Sequence, residues 1–154
     1  MNKRKVARIV SYCCIIVAII LFVCLVNTSL FNPGRIYNNE KLLACESDSY
    51  HQTQAVVKNS DGQFSFERLS GSRTVEIINL DAISDFSFEW NVVVEKGDFK
   101  IVLVDIKNKR VVETICEGTG SGYIEVLGLP AGAYRVKFVG NNATAKGAFN
   151  FTKS

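Results

Sequence analysis

The chain has 154 residues, with 18 Lys and Arg against 15 Asp and Glu and a formal net charge of +3. That length supports one domain with its own core, and little beyond it. The basic excess comes from Lys3, Arg4, Lys5 and Arg8, ahead of the first acid, Glu40; it bears on membrane orientation and excludes nucleic acid as the expected partner.

Residues 1–8 form a basic N-terminus. Ile9 to Val26 follow as an apolar run interrupted only by Ser11 and Tyr12. As a helix the run would be about 27 Å long, close to the ~30 Å hydrocarbon layer of a bilayer. It shows none of the regularly spaced polar positions of a core helix. It also outlasts the apolar centre of a secretion signal, and Asn27 and Ser29 make a poor cleavage site. Segment 9–30 is therefore read as a transmembrane anchor, an uncleaved signal. The positive-inside rule puts 1–8 in the cytoplasm and the remainder outside the cell membrane, a single-pass arrangement. Cys13, Cys14 and Cys24 lie in the run as packing residues in lipid.

Asn32-Pro33-Gly34 breaks the run, and 31–52 reads as a polar stalk with a helical turn around 39–45. From 53 to 154 the pattern is short segments rich in Val, Ile and Phe between turn residues. Strands are expected over 53–58, 63–69, 73–79, 85–95, 98–106, 110–116, 122–127, 132–139 and 145–152. In Phe86–Glu95 the residues Phe86, Phe88, Trp90, Val92 and Val94 share one face, by strict alternation. The fold class this implies is all-β: an antiparallel β-sandwich, jelly-roll or immunoglobulin-like, preceded by one transmembrane helix.

Few side chains suggest chemistry. Trp90, the sole tryptophan, alternates with core residues and reads as core. Tyr123, beside a Gly-rich loop, is a better sugar-stacking candidate, with Tyr50 a weaker one. Lys107, Lys109 and Arg110 make a basic hairpin tip that could meet lipid headgroups or wall polymers, or be a solvated turn that discourages edge pairing. Cys45 and Cys116 are the thiols outside the apolar run, and an even pair in an extracytoplasmic domain is a candidate disulfide. His51, the sole histidine, has no ligand or nucleophile motif around it. Asp81, Asp85, Asp98 and Asp105 match no calcium-loop spacing. No catalytic residue, metal or cofactor is expected.

The outer half carries WNVVVEKGDFKIVLVD (Trp90–Asp105), then GLPAGAYRVKF (Gly128–Phe138), then AKGAFNF (Ala145–Phe151). It resembles the small membrane-anchored extracytoplasmic β-sandwich proteins of Gram-positive bacteria, most of them uncharacterised. The resemblance implies fold and compartment and names no activity. The expected function is a membrane-anchored, non-enzymatic binding protein whose partner is another protein or a cell-wall glycan. The alternatives are a structural subunit of a membrane assembly, or a hydrolase using carboxylates such as Glu89 and Glu125.

Overall fold

The computed structural model describes residues 15–19, 33–45, 47–59 and 61–153. The expected anchor, 9–30, lies outside the described residues except for 15–19, which are helical. Among the described residues no helix is long and apolar enough to cross a membrane. Met1–Asn32 and Pro33–Ser154 are separate compact units, and the strands all belong to the second.

Two short helices, α1 (Pro33–Tyr37) and α2 (Glu40–Leu43), precede the strands β1 (Ser49–His51), β2 (Gln54–Lys58), β3 (Gln63–Leu80), β4 (Ser84–Asp105), β5 (Arg110–Glu117), β6 (Gly120–Leu129) and β7 (Gly132–Lys153). All pair antiparallel in one seven-stranded sheet of order β1-β3-β7-β4-β5, with β2 also on β3 and β6 also on β4. The all-β antiparallel architecture is thus present. The expected segments merge, however: 63–69 with 73–79, 85–95 with 98–106, and 132–139 with 145–152 are each one long strand.

The merging points are bends. β3 shifts register on both sides of Leu69, and β4 on both sides of Lys96, where they flank β7 near Asn141–Thr144. Arg68, Gly71, Gly97 and Asn142 have positive φ there. Bulges at one level in adjacent strands turn a sheet through a corner. Side chains take up some of the pairing: the Asn142 amide donates to Ser70 Oγ at 3.1 Å, and Asn141 Nδ2 donates to Asp98 Oδ2 at 2.9 Å. On one side of the corner lies a half containing β2 and β6, on the other a half containing β1 and β5. Phe64 and Phe66 from the first meet Phe99 and Phe138 from the second, with ring centroids 4.6 to 6.3 Å apart. Phe88, Phe99, Phe138 and Phe149 are fully buried in this core, each contributing roughly 1.5–3 kcal/mol.

The segment expected as a stalk is largely folded onto the sheet. Ile36, Tyr37, Leu43 and Ala44 form a second cluster with Val102, Val104 and Val139, on the face away from the phenylalanines. Asn39 caps α2, its Oδ1 accepting from the Leu42 amide at 3.2 Å. Tyr37 donates its hydroxyl to Glu117 Oε1 at 2.9 Å and packs under the Lys100 ammonium. This second layer explains why Val102 and Val104 are apolar on what alternation alone would make a solvent face.

Candidate functional site

The outer face of the β6 half carries a groove. It follows β7, because Lys146 and Ala148 alternate with the inward Ala145 and Phe149, and neither Gly147 nor Ala148 has a side chain large enough to fill the space. The flanking strands supply walls. Asn91 of β4 and Gln63 of β3 are both register partners of Ala148, and Val93 and Ser65 are both partners of Lys146. The resulting cavity measures about 520 Å³. A smaller depression of about 120 Å³ continues it, sharing Ser65 and Lys146 and reaching Glu67, Glu95 and Thr144.

The walls mix apolar surface from Val93 and Ala148 with polar groups, some of which are fixed. Asn59 sits at the turn before β3, where its Oδ1 accepts from the amides of Asp61 at 3.1 Å and Gln63 at 2.9 Å. Its Nδ2 donates to Gln63 Oε1 at 3.3 Å, which orients the Gln63 amide. Lys146 Nζ lies 2.7 Å from Glu95 Oε1 where the two depressions join, and that hydrogen bond holds the ammonium above its ordinary pKa. Carboxamides of Asn59, Gln63 and Asn91, hydroxyls of Ser65 and Thr144, the Glu67 carboxylate and the Lys146–Glu95 ion pair give the two depressions hydrogen-bond donors and acceptors.

The expected site residues are dispersed around this face and the opposite one. Tyr123 is 59% exposed on β6, paired with Glu89, one strand beyond the groove wall. Its hydroxyl donates to Glu125 Oε1 at 2.7 Å, and that bond raises its pKa. Glu89 and Glu125 are exposed on the same face. Trp90 points inward and packs against the core, its indole over Gly122, where a Cβ would come within 2.5 Å of the ring. Lys107 and Lys109 occupy the β4–β5 turn, and Arg110 begins β5 with Nε 3.8 Å from Asp105 Oδ2. Asp105 itself is buried, which would raise its pKa, but hydrogen bonds from Asn108 and the charge of Arg110 outweigh this and lower it.

The candidate disulfide is not formed: Cys45 and Cys116 are both free thiols. Cys116 pairs with Ile101 and faces the phenylalanine core, whereas Cys45 follows α2 on the opposite face of the sheet. Side chains on opposite faces cannot be bridged without moving the backbone. Burial pushes the Cys116 thiol up to about 11, so it stays protonated. Among the described residues no group of three or more His, Cys, Asp or Glu is placed to hold a metal ion.

No family model matches the sequence, and no curated protein matches it. Solved structures with a related chain course include the Carbohydrate-Binding Module CBM36 in complex with calcium and xylotriose, at 9% identity over 70% of this chain and 99% of that one, TM-score 0.33. A carbohydrate binding module of family 29 matches at 11% identity over 70% and 79%, TM-score 0.37. The salicylyl-acyltransferase SsfX3 from a tetracycline biosynthetic pathway matches at 13% identity over 71% and 39%, TM-score 0.35. Likeness this low decides neither the fold family nor the activity of this chain.

Proposed function

We propose that this chain is a membrane-anchored, extracytoplasmic and non-catalytic binding module of the β-sandwich type, and that the groove along β7 holds a glycan chain of the cell wall. The observation that carries the reading is the groove's form: two joined depressions of about 520 Å³ and 120 Å³, walled by Asn91, Gln63, Ser65 and Lys146. An elongated channel with repeated amide donors and acceptors suits an oligomer of hydroxylated units. A reacting centre would instead need a nucleophile and a base in contact. The exposed ring of Tyr123, one strand beyond the groove wall, offers a surface on which a further unit would stack. The Ile9–Val26 run supports the anchor.

The test is co-sedimentation of the 33–154 fragment with purified cell-wall sacculi, before and after acid extraction of their anionic polymers. Pelleting should survive both extraction and high salt, and Asn91→Ala should weaken it about tenfold, the worth of one or two direct hydrogen bonds. Binding that disappears with the anionic polymers, or that Asn91→Ala and Gln63→Ala leave unchanged, would remove the groove from the proposal.

A further inference from the structure

A second cavity, on the outer face of the other half of the bent sheet, has a different character. It measures about 640 Å³ and lies where α2, the β4–β5 turn and the start of β7 meet. Lys41 from the last turn of α2, Lys109 from the hairpin and Arg135 from β7 all line it, together with Ser47 and Cys45. These cations come from three separate elements, so their convergence is a product of the fold and not of a charged run in the sequence. Lys109 has φ 49, the left-handed conformation that closes a short hairpin turn. Lys137 lies beneath the cleft and is not one of its contacts: its buried Nζ donates to the Cys45 carbonyl at 2.6 Å and is paired with Asp48 at 3.7 Å.

We infer that this cleft is a binding site for phosphate-bearing groups, with Lys41, Lys109 and Arg135 as its cationic contacts. Arg presents a planar fork to a phosphate, Lys a mobile point charge, and Ser47 a hydroxyl donor. A cleft concentrates such charge more than an exposed surface does. The ligand chemistry is a phosphate ester, which either an anionic lipid headgroup or an anionic wall polymer would present. This site is independent of the groove along β7, and neither inference needs the other.

Cys45 is exposed and lines the cleft, so its alkylation reports occupancy. The experiment uses the full-length chain in nonionic detergent, with Cys13, Cys14 and Cys24 changed to Ser, and measures the rate of reaction with a neutral maleimide. Glycerol phosphate, or micelles doped with phosphatidylglycerol, should slow the reaction severalfold and saturably, and uncharged glycerol should not. Protection should fade at high salt. The Lys41→Gln, Lys109→Gln double variant should lose it, and the Lys41→Arg, Lys109→Arg variant should keep it. Protection by the doped micelles alone assigns the source to lipid; protection by soluble glycerol phosphate assigns it to any accessible ester, including a polymer. No protection by either probe, or equal protection in the Gln variant, overturns the inference.

Discussion

Lys137 is the residue on which the two faces of the second half depend. Its neighbours on β7, Val136 and Phe138, point into the phenylalanine core, so Lys137 itself must point out, beneath the segment that follows α2. There its ammonium is buried, which lowers its pKa, while Asp48, 3.7 Å away, partly restores it. Asp48 also accepts from the Thr74 amide at 2.9 Å and from Thr74 Oγ1 at 2.7 Å. Asp48→Ala should therefore cost about 2–4 kcal/mol, chiefly through the uncompensated buried charge of Lys137. Because the folded pKa of Lys137 lies below the unfolded one, the unfolded chain binds more protons between the two values. Stability should rise with pH across that window. The Asp48→Ala deficit should thus be full near pH 7 and shrink near pH 10, as measured by urea unfolding at both. A deficit equal at the two values would leave only the Thr74 hydrogen bonds as Asp48's role. The sequence shows Lys137 as one member of an alternating strand, and nothing local tells that its outward face is covered.

At the scale of the elements, the corner decides the core. Gly97 has φ 66, and a Cβ there would press on the carbonyl oxygens of Asn141 and Asn142 in the neighbouring strand. Backbone cannot retreat as the tip of a side chain can. Gly97→Ala should lower stability by more than about 2 kcal/mol, combining the left-handed penalty with the displaced strand. A denaturation midpoint within experimental error of the parent would show that the corner yields and is not a rigid element. Lys96-Gly97-Asp98 reads as a tight reversal from the sequence because Gly and Asp are the residues of reversals. The same conformational freedom serves a bulge, and only the pairing of β7 with both sides of β4 distinguishes the two. Strand existence and alternation were legible from 53 onward, whereas β1, inside the expected stalk, and strand continuity were not.

At the scale of the molecule, the 33–154 unit has two clusters, one between the halves of the sheet and one beneath α1 and α2. A fragment of 33–154 should unfold in one cooperative transition. A fragment of 46–154 should lose several kcal/mol, or fail to fold, because removing Ile36, Tyr37, Leu43 and Ala44 bares Val102, Val104 and Val139. Thermal melts followed by circular dichroism check this; equal midpoints would return 33–45 to the role of a linker. The groove and the basic cleft lie on the outer faces of the two halves of this unit, so the two proposed sites do not overlap.

The chain by itself determined what depends on neighbours in sequence. The alternation of Phe86, Phe88, Trp90 and Val92 marks an inward face, and the hairpin turn at Lys107–Lys109 appears where the residues call for it. The lack of helical periodicity in that half likewise marks an all-β domain. Tertiary structure alone decided what depends on residues far apart in the chain. Asn91 and Gln63 face one another only because both pair with Ala148. Lys41, Lys109 and Arg135 converge only because the segment before β1 folds back over β7. Cys45 and Cys116, an even pair in sequence, are separated by the sheet itself. The physical reason is common to all three: periodicity fixes which face a side chain takes, while register and layer order fix which side chains share that face.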